Sequence, residues 1–213
     1  MKRFGLLVAT LLVGTQAASA HEVWVERDAQ GPARVYLGEP AEAVPEGGDP
    51  EFHRLQKPVV FLDDPAKAVS LVRRTNHLEA DAPGKGDVRV RDDAVFDPWK
   101  EGETTQGAIF YARAGRSETR NVLDLELVPV SANADTMTLM FKGKPLADTA
   151  VTVISPDRWQ KSFKTDAAGV VTVPSLGAGR YILGASHKEA APGTVAGKPV
   201  AAIVHISTLT FVR

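Results

Sequence analysis

Short β-rich runs recur through the second half of this chain, at 136–141, 150–155, 161–165, 170–173, 180–187 and 200–212. Turn residues punctuate them: Gly143-Lys144-Pro145, Ser155-Pro156-Asp157, Asp166-Ala167-Ala168-Gly169 and Gly177-Ala178-Gly179. Between those turns no segment sustains a 3.6-residue apolar period, so helices have no face to bury. Evenly spaced short strands with turn signals predict an all-β fold, here an antiparallel sandwich. Ala150, Val151, Val153 and Ile154 crowd one run on both sides, as a strand covered by two layers requires. Gly169 can take the positive φ of a tight turn, and the Asp166 carboxylate can cap that turn.

The first half is also strand-rich, but less regular. Val23 and Val25 alternate with Glu22 and Glu26, which predicts an opening strand with one buried and one solvated face. Further candidates lie at 34–37, 58–62, 69–74, 88–91, 108–111 and 123–130. The loop between Gly38 and Pro50 is rich in Pro, Gly and acidic residues, and 51–55 has room for one helical turn. The segment 129–135 reads as a linker. The expected organisation is therefore an irregular N-terminal β-sandwich over 21–130 and an antiparallel β-sandwich over 135–213.

Residues 1–20 read as a secretory signal peptide. Lys2 and Arg3 precede an apolar stretch from Phe4 to Val13, and Ala18-Ser19-Ala20 gives the small-x-small pattern of a cleavage site. Cleavage there predicts a Sec-exported, periplasmic protein whose mature chain starts at His21. The apolar stretch is too short to span a bilayer, and no later segment reaches that length, so no membrane insertion is expected after leader removal. Without Lys2 and Arg3 the balance is 23 basic against 26 acidic residues, with no basic cluster, which argues against nucleic acid as a partner. The absence of cysteine removes disulfides, thiolate metal sites and cysteine catalysis together.

Metal ligands, if the chain holds any, must then come from histidine, carboxylate, methionine or the amino terminus. A mature chain starting at His21 would offer an α-amine and an imidazole that close a six-membered chelate on one transition-metal ion. With one further imidazole this becomes the T-shaped three-nitrogen arrangement called a histidine brace, suited to Cu(II) and, with added ligands, to Ni(II) or Co(II). Three imidazoles with an open position would suit Zn(II) instead. Val23 in the third position excludes the N-terminal motif that needs histidine there. The candidate companions are His187, at the end of an expected strand after Gly184, and His205, which interrupts the apolar run Val204-His205-Ile206. A hydrogen-bonded core histidine is the competing reading for each. His53 and His77 read as surface residues.

Asp63, Asp64, Asp92, Asp93 and Asp97 read as solvated loop charges, and Glu22 and Glu26 as the polar face of the first strand. Met137 and Met140 read as core, and Trp24, Trp99 and Trp159 as packing residues, with Trp24 placed to shield a site beside His21. No Gly-x-Ser-x-Gly elbow, His-Glu-x-x-His helix, P-loop or dinucleotide fingerprint occurs, so no catalytic residues are assigned and the expectation is a protein that is not an enzyme.

Two stretches carry a family resemblance. Gly143-Lys144-Pro145-Leu146, Val151-Thr152-Val153, Thr165 to Gly169 and Gly179-Arg180-Tyr181 resemble a transthyretin-like or carboxypeptidase-regulatory-like sandwich. Together with the leader, Ala20-His21-Glu22-Val23-Trp24, Ser186-His187 and His205-Ile206-Ser207, the mature chain resembles the bacterial domain-of-unknown-function 4198 family. The resemblance implies a periplasmic component of nickel or cobalt (or copper) uptake, with His21, His187 and His205 as metal ligands and a membrane metal transporter as partner. The alternatives are a structural, adhesion-like or carbohydrate-binding sandwich, and a copper oxidase built on the histidine brace.

Overall fold

The computed structural model describes residues 21–29, 31–84, 86–174 and 177–213; the expected leader, 1–20, lies outside them. The chain runs through β1 (Glu22–Arg27), β2 (Ala33–Gly38), β3 (Val59–Phe61), β4 (Leu71–Arg73), β5 (Leu78–Ala80), β6 (Val88–Asp92), β7 (Trp99–Glu101) and β8 (Thr104–Ala114). It continues through β9 (Leu125–Pro129), β10 (Thr136–Phe141), β11 (Lys144–Pro145), β12 (Ala150–Ile154) and β13 (Gln160–Lys164). The last strands are β14 (Val170–Thr172), β15 (Arg180–Glu189), β16 (Gly193–Val195), β17 (Lys198–Val200) and β18 (Ala202–Val212). One turn of 3₁₀ helix at Phe52–Arg54 occupies the place where one helical turn was expected. The fold is all-β and built of packed sheets, as the strand cadence requires.

Three layers make the molecule. The middle layer is an eight-stranded sheet in the order β13-β12-β15-β18-β8-β6-β3, with β7 on β8. A sheet in the order β1-β2-β5-β4 covers one of its faces. Val23, Val25, Val35, Leu37 and Leu78 pack there against Val88, Val90, Ala108, Phe110 and Ala112. On the other face, Leu125, Leu127, Met137, Leu139 and Val171 from β9, β10 and β14 pack against Tyr111, Val151, Val153, Leu183 and Leu209. Val151 and Val153 are fully buried on one face of β12 and Ile154 is buried against Trp24 on the other, while Ala150 is exposed, so the expected two-sided cover holds only toward the end of the strand. Each such side chain contributes roughly 1.5–3 kcal/mol by leaving water.

The two halves of the sequence share the middle sheet. β8 and β18 run parallel, with His205 opposite Ile109 and Ser207 opposite Tyr111. This join is the one parallel pair among the described strands, the others being antiparallel. The expected linker is a hairpin turn instead: β9 pairs with β10 from Pro129 opposite Met137 to Leu125 opposite Phe141. Val130 N donates to Thr136 O at 3.0 Å and Ala134 N to Ser131 O at 3.0 Å, so the connection is closed by its own backbone.

The turn chemistry follows the sequence. Gly169 has φ of 75°, and Asp166 Oδ1 accepts from Ala168 N and Val170 N at 2.9 and 2.8 Å. Ala196 and Gly197 both have positive φ, the two-residue turn that matches the twist of β16 and β17.

Two arginines point inward, Arg89 from β6 and Arg113 from β8. Arg89 and Arg113 are fully buried and converge on the equally buried Glu126 at 2.8 and 3.0 Å. The second oxygen of Glu126 accepts from Val122 N and Leu123 N at 2.6 and 3.0 Å, which pins the loop between β8 and β9. Removing one partner of such a network strands a buried charge, at a cost of about 3–5 kcal/mol.

Candidate metal centre at His21

β1 is the edge strand of its sheet and lies against β18, where Thr208 Oγ1 donates to Val23 O at 2.8 Å. Val23 and Val25 turn into the core toward β6 and β8. The opposite face of β1 is not solvated, contrary to the alternation argument. Trp24 packs on Ile154 and Ile182, and Glu26 pairs with Arg180 at 2.7 Å. Glu22 meets Gly184, where an added Cβ would stand 3.1 Å from Glu22 Oε1. The missing side chain at Gly184 thus lets β1 approach β15 closely. Burial without a compensating cation pushes the Glu22 carboxyl up to about 7.

His21 enters this corner at the start of β1. Its Nε2 lies 3.0 Å from Asp49 Oδ1. A carboxylate only accepts, so Nε2 carries a proton, and in the neutral form of the ring, the form that binds metal, the lone pair is on Nδ1. Nδ1 is the ring nitrogen that closes a six-membered chelate with the residue's own backbone nitrogen. Asp49 is itself held: its Oδ1 accepts from Glu51 N at 2.7 Å, and Gly38 leaves it room, since a Cβ there would come within 3.0 Å of Oδ2. A carboxylate on the outer ring nitrogen fixes tautomer and orientation in the way that metal-bound histidines are usually supported. Asp49 was read in sequence only as part of an acidic loop. The Gly47-Gly48-Asp49-Pro50 turn is the signal that could have singled it out.

His187 and His205 come together, but elsewhere. They are direct cross-strand partners in β15 and β18, and both rings contact Phe141, with centroids at 4.5 and 4.9 Å. They share the face of the middle sheet that bears Leu183, Ala185 and Leu209, whereas Gly184 and Thr208, which meet β1, point the other way. The sheet therefore stands between this pair and His21. The single three-histidine site expected from the sequence is corrected to two separate places, because alternate residues of one strand face opposite layers.

Both nitrogens of His205 are spent. Nε2 lies 3.1 Å from Glu189 Oε2, and Nδ1 lies 3.1 Å from the Tyr111 hydroxyl. The residue is 1 % exposed, and burial holds its pKa below the usual histidine range. This is the hydrogen-bonded core histidine of the competing reading. His187 is half-buried beside Phe141. Among the described residues no group of three or more His, Cys, Asp or Glu is arranged to hold a metal ion. The residues at His21 fit a two-point chelate and do not fit a cage.

The remaining candidates fall into place around these. His53 is exposed, with Nδ1 2.8 Å from Pro50 O. His77 is half-buried and not simply a surface residue, since its ring packs on Tyr36 of β2 with centroids 5.5 Å apart. Asp92 is buried, and burial pushes its carboxyl up to about 6, so it is not a solvated loop charge. Asp97 pairs with Lys198 at 2.7 Å. Met137 is core, and of the tryptophans only Trp24 is buried; Trp99 and Trp159 are exposed. The expectation that all three pack fails because β7 is covered by no further layer and Trp159 sits in the turn before the edge strand β13. Comparison of the chain with family models, with curated proteins and with solved structures finds no match.

Proposed function

We propose that this is an exported, periplasmic, non-catalytic protein that carries a divalent transition-metal ion at its amino terminus, held by the α-amine and Nδ1 of His21. The observation that supports the reading is the 3.0 Å contact between His21 Nε2 and Asp49. It orients the ring and leaves the chelating nitrogen free. A two-nitrogen hold leaves most of the coordination sphere open, so a partner such as a membrane metal transporter can take over the ion by adding its own ligands. Copper(II) is favoured by intrinsic affinity at nitrogen donors, and delivery of nickel or cobalt would rest on supply. The resemblance to the domain-of-unknown-function 4198 family points the same way. The copper-oxidase reading has less support, because it needs a further imidazole and the pair at His187 and His205 lies across the sheet.

The test is a copper(II), nickel(II) and cobalt(II) titration of two chains at pH 7, one beginning at His21 and one carrying a single glycine before it. The account expects one equivalent bound by the first. The second should bind roughly 10²–10⁴-fold more weakly, the gain that makes a second contact intramolecular. Equal affinities would remove the amine from the site.

A further inference from the structure

Far from the ring of His21, a cleft of about 410 Å³ opens between the end of β1 and the ends of β8 and β18. Three arginines line it, Arg27, Arg116 and Arg180. Arg27 is the unusual one. Its guanidinium donates to the carbonyls of Gly31, Gly86, Ala82 and Gly84, and to no carboxylate among the described residues. Four of its five N–H groups are thereby used, which holds the group rigid and leaves one N–H on Nη1. Carbonyls carry no formal charge, so none of these hydrogen bonds pairs the cation with an anion. Arg116 pairs through Nη1 with Asp135, a single carboxylate that it shares with Arg213, and donates to Ala134 O; it lies 4.4 Å from the centre of the Phe211 ring, and its Nε and Nη2 donate to no acceptor among the described residues. Arg180 is already neutralised by Glu26 and Asp28.

The floor supplies a second, independent sign. Thr210 lines the cleft, is 3 % exposed, and its Oγ1 has no hydrogen-bond partner among the described residues. A buried hydroxyl without a partner costs about 1–3 kcal/mol, and a ligand that accepts from it recovers that cost. The one carboxylate in the lining, Asp87, is saturated: it takes Arg113 Nε at 3.0 Å, Ser117 Oγ at 2.7 Å and Ser117 N at 3.0 Å. Val212, Ala29 and Ala114 supply the apolar part of the lining, beside the polar Ser117 and Asn133.

We propose that this cleft binds a small organic anion, with its carboxylate received by Arg27, Arg116 and the Thr210 hydroxyl and its apolar body against the exposed Val212 and Ala29. The volume suits a ligand of that size. The site is independent of His21 and stands or falls without any metal.

The experiment is amide-resolved NMR of the full chain from His21, titrated with benzoate, with benzyl alcohol as the uncharged analogue and inorganic phosphate as the anion without an apolar body. Benzoate should shift the amides of Gly115, Thr210 and Val212 saturably, with a dissociation constant of about 1 mM or tighter. Benzyl alcohol should leave them in place, and phosphate should bind at least about fivefold more weakly. Thr210→Val keeps the shape and removes an unpartnered hydroxyl, so it should fold with an unchanged or higher Tm and weaken benzoate about five- to tenfold. No saturable shift at those amides by about 20 mM benzoate overturns the proposal. So does an equal response to the alcohol or to phosphate, or unchanged benzoate affinity in the folded variant.

Discussion

His21 and His205 each set a ring nitrogen against a carboxylate, at 3.0 Å from Asp49 and 3.1 Å from Glu189, yet the two rings are suited to opposite tasks. His205 is enclosed between β8, β10 and β15 and spends its other nitrogen on Tyr111. His21 is partly exposed, with its side chain at 27 %, and keeps its other nitrogen unengaged. The difference shows that a carboxylate-bonded histidine is a ligand candidate only when the opposite nitrogen is left over. At His205 the same pairing builds a core.

The comparison breaks most visibly at His205. Replacing it with alanine removes a filled volume and leaves Glu189 and the Tyr111 hydroxyl without their partner. His205→Ala should therefore lower stability by roughly 2–4 kcal/mol while copper affinity stays within twofold. Chemical denaturation together with a metal titration measures both. A near-neutral stability change, or a lost metal site, would reverse the assignment.

Asp49→Asn should do the converse. An amide beside Nε2 no longer enforces the tautomer, so copper affinity should fall by about 10–100-fold with little change in denaturation midpoint. Unchanged affinity would mean that Asp49 supports the fold alone.

Acidity gives a third contrast. Burial holds the folded pKa of His205 below its unfolded value, against the opposing pull of Glu189 and Asp124 and in concert with Lys142; the Tyr111 hydroxyl and the half-buried His187 also face the ring. The unfolded chain therefore binds the proton first. The His205 contribution is complete above about pH 6.5 and is lost as pH falls from there toward the folded pKa, at up to about 1.4 kcal/mol per pH unit. Protonation would also force Nδ1 to donate to Tyr111, whose hydroxyl can turn to Asp124 Oδ2, 3.3 Å away. Subtracting the stability–pH curve of His205→Gln from that of the parent isolates this slope; a difference curve flat between pH 5 and 6.5 would contradict it. The smallest effect belongs to His187→Ala, which loses a partly exposed ring contact with Phe141 and should cost about 0.5–1 kcal/mol by thermal denaturation.

How much of this was legible in the sequence depends on distance along the chain. The strands from Thr136 to Val212 and the Asp166–Gly169 turn are local matters of period and turn chemistry, and they stand nearly where the sequence put them. Val204-His205-Ile206 announced a polar residue inside a strand, which is correct. Its partners lie 16 and 94 residues away, and no spacing rule names them. The parallel join of β8 and β18 is equally nonlocal. Alternation tells which residues share a face and not what covers that face. For this reason Glu22 looked solvated and is enclosed by a neighbouring layer, and nothing local announced that Arg89 and Arg113 would be fully buried. The same blindness merged His21 with His187 and His205: the types suited one site, and the parity of β15 and β18 separates them.

The central claim is that the metal belongs to His21 and not to the paired histidines. Long-range ¹H–¹⁵N spectra of the five histidine rings, recorded on the chain beginning at His21 as copper(II) is added below one equivalent, test it most directly. The account predicts that the apo His21 ring is an Nε2–H tautomer and that its signals are the first to broaden away, while those of His187 and His205 persist. Early loss of the His187 and His205 signals with His21 unchanged would contradict it.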